Sequence, residues 1–192
     1  MKYPSLLLAS LLLCSSAFAA DKPVDPKKQT SWNLYVDSKE AFEMKQKQGN
    51  QILFVDVRDP IEIMFTGYTE LTDIHVPYMI ADHSMFNGNN KSYRFYRNPD
   101  FNKDIAARLD ALGANKKTKI IFMCRSGSTR SAPTANIVYE LGYKNVYSVV
   151  DGFEGGKSKK QGKGARVVHG WKNSGLPWGW KLEENVAYTV LD

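Results

Sequence analysis

The run Cys124-Arg125-Ser126-Gly127-Ser128-Thr129-Arg130 brings together a thiol, two guanidinium groups, three hydroxyls and a glycine. It directly follows the apolar stretch Lys119 to Met123, which reads as a strand, and precedes Arg130 to Leu141, which reads as a helix. In an open parallel sheet, ligands bind in the crevice beyond the carboxyl ends of the strands. A short glycine-containing loop at that place can turn successive backbone N–H groups toward one centre, forming an anion nest. The N-terminus of the following helix adds unsatisfied donors and its dipole. Arg125 and Arg130 add full positive charges. Each of these effects favours thiolate over thiol, so Cys124 is expected to ionise below the usual thiol value. The same cradle would stabilise a negative group on the sulfur: a persulfide, a phosphate, an arsenate or a sulfonate.

The elements that must hold this loop are legible as alternating strands and helices. Trp32 to Val36 reads as a short strand, and Ser38 offers an N-cap to a helix that stops at Gly49. Gln51 to Val57 is a near-continuous apolar run, as expected of a strand covered on both faces. Pro60 to Phe65 reads as a short helix with proline in its first turn, and Ile74 to Pro77 as a further strand. Asp82 to Arg97 lacks periodicity and reads as a long loop. Asp100 can cap a helix over Phe101 to Leu112, whose Phe101, Ile105, Leu109 and Leu112 share one stripe, with Gly113 ending it. Val146 to Val150 completes the strands, and Gly152 to Gly164, rich in Gly, Lys and Ser, reads as a flexible loop. The expected architecture is α/β: a mostly parallel central sheet with helices on both faces, in three layers.

Residues 1–19 read as a secretory signal peptide. Lys2 supplies the positive start, Leu6 to Leu13 the apolar core, and Ala17-Phe18-Ala19 the cleavage site. The apolar stretch is too short for a membrane anchor, so the expectation is a periplasmic protein with no stable attachment to the membrane. Residues 20–31 read as a tether and 32–192 as one domain. The chain has two cysteines, and Cys14 would leave with the signal. Cys124 would then be a single thiol in an oxidising compartment, where structural cysteines come in pairs. The net charge of +6 is modest; no nucleic-acid-binding signature accompanies it, and nucleic acid is not expected as a partner.

Three segments carry a family resemblance. Cys124-Arg125-Ser126-Gly127 with Arg130-Ser131-Ala132 resembles the active-site loop of rhodanese-like domains. Val55-Asp56-Val57-Arg58-Asp59-Pro60 with Phe65-Thr66-Gly67 resembles a second signature, and Gly170-Trp171-Lys172-Asn173-Ser174-Gly175-Leu176-Pro177 the closing one. The resemblance implies a sulfurtransferase in which Cys124 accepts sulfane sulfur as a persulfide. It implies that backbone N–H groups of Arg125, Ser126, Gly127, Ser128, Thr129 and Arg130 cradle that sulfur. Arg125 and Arg130 would help bind an anionic donor such as thiosulfate, and the acceptor would be a thiol, a cyanide-like nucleophile or a redox protein. It implies structural roles for Asp56 and Arg58. The chemistry calls for neither cofactor nor metal. Two departures stand out. The Cys-x5-Arg spacing of Cys124 and Arg130 is that of the related cell-cycle tyrosine phosphatases. A wider cradle suits a tetrahedral oxyanion, which keeps phosphatase and arsenate reductase chemistry open beside sulfur transfer and beside a carrier that loads sulfur without turnover. Tyr68 stands where many members have histidine.

Among the remaining candidates, His75, His83 and His169 lack metal-ligand spacing. Asp151-Gly152 is expected to form a turn at the rim of the site. Lys157 to Arg166 should hang over the Cys124 crevice, either as a positive rim that attracts anions or as a solvated surface loop that serves solubility. Trp171, Trp178 and Trp180 are expected to pack the tail onto the domain.

Overall fold

A computed structural model describes residues 20–162 and 164–189. The signal-peptide reading of residues 1–19, Cys14 included, lies outside the described residues. No helix among the described residues is long and apolar enough to cross a membrane.

A five-stranded parallel sheet forms the centre. Its strands are β1 (Tyr35–Val36), β2 (Ile52–Asp56), β3 (Ile74–His75), β6 (Lys119–Met123) and β7 (Asn145–Val149), in the order β1-β7-β6-β2-β3. The apolar runs of β2 and β6 are buried because both faces are covered. Alternate side chains serve the two layers. Leu53, Val55, Ile120 and Phe122 pack against α3 (Phe101–Ala111) and α4 (Ser131–Glu140). Ile52, Phe54, Ile121 and Met123 face α1 (Ser38–Gln48), with Ala41, Met44 and the fully buried Trp171. Burying each such large apolar side chain contributes roughly 1.5–3 kcal/mol. The three-layer α/β expectation therefore holds, with helices on both faces.

Several expectations are corrected. Asp37, not Ser38, caps α1: its carboxylate accepts from Glu40 N at 2.8 Å while Glu40 Oε2 accepts from Asp37 N at 2.8 Å. Ser38 is instead buried, its Oγ donating to Asp151 Oδ1 at 2.8 Å. Asp100 stands at the start of α3 without a side-chain cap, its backbone carbonyl taking the Asp104 N–H.

The stretch read as a long loop is an antiparallel hairpin, β4 (Met79–Asn87) and β5 (Ser92–Arg97). A register irregularity between Asp82 and Phe86 breaks the alternation that would have revealed it. The Gly/Lys-rich stretch is also partly ordered. β8 (Gly156–Lys157) pairs antiparallel with β9 (Arg166–Val168).

α2 (Pro60–Thr66) follows β2. Asp59 caps it, accepting from Ile61 N at 2.7 Å, and Glu62 Oε2 accepts from Asp59 N at 3.1 Å. The tail packs as expected through Trp171, edge-on to Phe42 and Phe54, and Trp178, whereas Trp180 stays 62% exposed. Tyr68 belongs to the tail clamp rather than to the site. It exchanges backbone hydrogen bonds with Gly179 at 2.8 Å each, and its hydroxyl donates to Lys181 O.

Candidate active site

Cys124 leaves the carboxyl end of β6, which lies between β2 and β7. The loop that follows is seated on the segment leaving β7. Phe153 N donates to Cys124 O at 2.8 Å, and Glu154 N donates to Arg125 O at 2.9 Å. With these carbonyls held outward, the next N–H groups are free to turn inward. Gly127 makes the curl possible: its φ is +64°, and a Cβ there would lie 2.2 Å from the carbonyl carbon and oxygen of Val150. Gly152 fits the other side just as closely, its missing Cβ falling 2.6 Å from Cys124 O, Ser126 N and Gly127 N. The role of Asp151 is larger than a turn. It accepts from Ser38 N and Gly170 N, each at 2.9 Å, and so ties α1 and the tail to the site's rim.

The sulfur is almost wholly enclosed, Cys124 being 1% exposed. Burial pushes its pKa up, but the Arg130 charge, the Ser131 hydroxyl and the N–H groups of Ser126 and Ser131 outweigh burial, and the net direction is down. Ser131 opens α4, so its N–H is one of the helix's unsatisfied donors. Its buried hydroxyl makes no close hydrogen bond and lies beside the sulfur, ready to donate to a thiolate.

Above the sulfur opens a cavity of about 250 Å³, lined by Arg125, Ser126, Thr129 and Arg130 of the loop and by Glu62, Met79, Phe95 and Arg166. Cys124 lies behind this wall and does not line the cavity. Gly127 is buried under the β7 exit, and Ser128 is partly buried and does not line the cavity. The loop therefore divides its labour: Ser126 N–H faces the sulfur, while Arg125, Thr129 and Arg130 face the incoming ligand.

Neither arginine stands as a free cation. Arg130 forms a two-pronged pair with Glu62: Nη1 donates to Oε2, and Nη2 donates to Oε1 at 2.9 Å. Burial acts to lower the Arg130 pKa, yet Glu62 and the Cys124 thiolate raise it, so it stays protonated. Burial likewise acts to raise Glu62, and Arg130 holds it below the ordinary carboxylate range. Arg125 pairs with Glu154. Arg166 donates to Gly155 O at 2.7 Å and lines the cavity.

Glu62, Glu154, Met79 and Phe95 were not foreseen as site residues, and Arg166 was expected only as the end of the basic stretch over the crevice. The sequence held a sign for Glu62 alone, in the spacing Asp59-x-x-Glu62, and that sign speaks of a helix cap.

Asp56 and Arg58 take the structural role expected of them. Both are fully buried and paired, Arg58 Nε donating to Asp56 Oδ1 at 2.9 Å and Oδ2 at 3.0 Å. The guanidinium carbon sits 3.9 Å from the ring centre of Phe153, whose N–H holds Cys124 O. The pair thus props the floor of the loop. His75 is buried beside it, Nε2–H donating to Arg58 O at 2.8 Å. Burial lowers its pKa, so the ring is neutral near pH 7.

The family model for the rhodanese-like domain matches residues 38–159. The chain is a member of the rhodanese-like family. This domain resembles uncharacterised proteins of Rickettsia rickettsii and Rickettsia conorii, each 32% identical over 142 residues, covering 73% of this chain and 93% of theirs. Among solved structures it resembles Rv0390 from M. tuberculosis, with 26% identity and a TM-score of 0.57, over 79% of this chain and all of that one. The mostly parallel sheet with helices on both faces is therefore that of a rhodanese-like domain, a family related to sulfurtransferases.

Proposed function

We propose that the protein transfers sulfane sulfur through a persulfide on Cys124, taking it from thiosulfate or a similar small anion. The observation that carries this reading is the recessed thiol with a lowered pKa, Arg130 charge beside it, beneath a cavity of about 250 Å³ walled by three arginines. The Cys124 thiolate attacks the outer sulfur of the donor. A new S–S bond forms, the donor's S–S bond breaks, and sulfite leaves with the electron pair. The N–H groups of Ser126 and Ser131 stabilise negative charge before and after the step, which is electrostatic preorganisation. An ionised thiol needs no general base. A nucleophilic acceptor then takes the outer sulfur and restores the thiolate.

Two features favour sulfur transfer over phosphate hydrolysis in spite of the Cys-x5-Arg spacing. The Arg130 fork is occupied by Glu62, which leaves it poorly disposed to clasp two phosphate oxygens. Glu62 is also a carboxylate lining the cavity, and Arg130 keeps it ionised, unsuited to protonating a leaving group near neutral pH. The reading places the activity in the periplasm, on the strength of residues 1–19.

The test is mass spectrometry of the intact protein after exposure to thiosulfate. The expected result is an added mass of one sulfur atom on Cys124, discharged by cyanide and missing in Cys124→Ser. A native protein that never gains the sulfur, yet hydrolyses p-nitrophenyl phosphate, would overturn the proposal.

A further inference from the structure

The cavity over Cys124 opens into a much larger groove of about 1190 Å³, and the two share Phe95, Arg125 and Arg166. One wall of the groove is the β4–β5 hairpin: Ser92, Tyr93, Arg94 and Phe95 of β5, Ala81 and Asn87 of β4, which pair with Phe95 and Ser92, and Asn90 of the turn. Both strands line it, so the groove runs over the hairpin. The facing wall comes from the β8–β9 arm, through Lys157, Gly164 and Arg166.

The charged residues lining the groove are all cations: Arg94, Arg125, Lys157 and Arg166. Arg125 is paired with Glu154, whereas among the described residues Arg94, Lys157 and Arg166 have no carboxylate within 4.0 Å. Exposed aromatic rings lie along the same side, with Tyr93 59% and Phe95 44% exposed. A small donor fills the inner cavity and has no use for a groove nearly five times larger that runs out to Asn87 and Asn90 at the hairpin's tip.

We propose that this groove docks the sulfur acceptor, a partner protein offering an extended acidic segment with a cysteine, which lies across the hairpin. Apolar side chains of the segment pack on the exposed rings of Tyr93 and Phe95. Acidic residues meet Arg94, Lys157 and Arg166. The segment's cysteine arrives where groove and cavity meet, at Phe95 and Arg125. There its thiolate attacks the outer sulfur of the Cys124 persulfide. The acceptor's new S–S bond forms, the Cys124–sulfur bond breaks, Cys124 leaves as thiolate, and the transferred sulfur keeps its negative charge as the acceptor's persulfide anion. This inference rests on the sulfur-transfer reading, and binding without transfer separates the two.

The probe is a synthetic dodecapeptide of alternating glutamate and valine with one central cysteine, compared with its lysine-for-glutamate counterpart. The acidic peptide is expected to discharge the Cys124 persulfide about tenfold faster than the basic one at low salt. The advantage should vanish in the double variant Arg94→Glu/Lys157→Glu. Discharge by cyanide should be unchanged in that variant, which shows that its fold and cradle are intact. Equal rates for acidic and basic peptides, or an advantage indifferent to the double variant, would overturn the docking site. Binding of a serine-for-cysteine peptide to the Cys124→Ser protein, followed by fluorescence anisotropy, involves no sulfur. If that binding is absent while Cys124 still loads from thiosulfate, the docking site fails and the sulfur-transfer reading stands. If binding is present while Cys124 never loads, the reverse holds.

Discussion

Glu62 and Arg130 meet as a two-pronged ion pair at the wall of the Cys124 cavity, with side chains only 12% and 10% exposed. The carboxylate comes from α2 and the guanidinium from the residue that opens onto α4, 68 positions later in the chain. The pair therefore fixes the loop's end to the first helix after β2. It also places a negative charge inside a cavity read as an anion site, so its removal should act on stability and donor capture in opposite directions.

Glu62→Gln keeps one hydrogen bond to Arg130 but loses the charge and weakens the reciprocal cap on Asp59 N. The expected cost is about 1–3 kcal/mol, read as a lower urea midpoint. Persulfide loading should half-saturate at a lower thiosulfate concentration, because a carboxylate no longer repels the anion. An unchanged midpoint would show that the pair does not hold the loop.

Gly127→Ala separates strain from simple conformational preference. Both Gly127 and Gly49 have positive φ, +64° and +53°, but a Cβ at Gly49 meets nothing within 4 Å, whereas at Gly127 it overlaps Val150. Gly49→Ala should cost about 1–3 kcal/mol, the strain of its positive φ with ψ of −126° alone. Gly127→Ala should cost about 3 kcal/mol or more and abolish sulfur loading, since the loop must leave its seat. Equal costs in chemical denaturation would contradict the close approach of loop and β7.

The lowered Cys124 pKa has a sign that can be checked in two ways. The ultraviolet absorbance of the thiolate, taken as native minus Cys124→Ser, should rise with pH through a midpoint below the ordinary thiol value of about 8.5. Because the folded pKa lies below the unfolded one, the unfolded state holds more protons between the two. The thiolate's contribution to stability is full above the unfolded value and is lost as pH falls through the folded value. In Arg130→Met burial should dominate, moving the absorbance midpoint upward. A midpoint that stays put in Arg130→Met would remove Arg130 as the source of the shift.

The parts of this protein that could be read from its sequence are those set by neighbours in the chain. Apolar runs at Ile52 to Asp56 and Lys119 to Met123 could only suit doubly covered strands, and they form the heart of the sheet. A cysteine between strand and helix, with a glycine in the loop, was enough to mark the candidate site and the loop N–H groups around it. The hairpin from Met79 to Arg97 escaped because its irregular register and its exposed aromatic residues hide the two-residue period. Asp37 displaced Ser38 as the cap because Ser38 found a better partner in Asp151, 113 residues away.

What the sequence by itself determined was the place of Cys124 between strand and helix and the alternation that makes an α/β sheet. Both follow from local spacing, whereas structural roles for Asp56 and Arg58 came from the family resemblance. Only the tertiary structure decided that Arg58 pairs with Asp56, that Arg130 is clasped by Glu62, that Arg125 is clasped by Glu154, and that the β4–β5 hairpin faces a basic arm beside the cavity. With 26 lysines and arginines and 20 aspartates and glutamates along the chain, charge pattern alone cannot select which of them meet. The packing of helices on the sheet selects them, because an ion pair depends on distance in space.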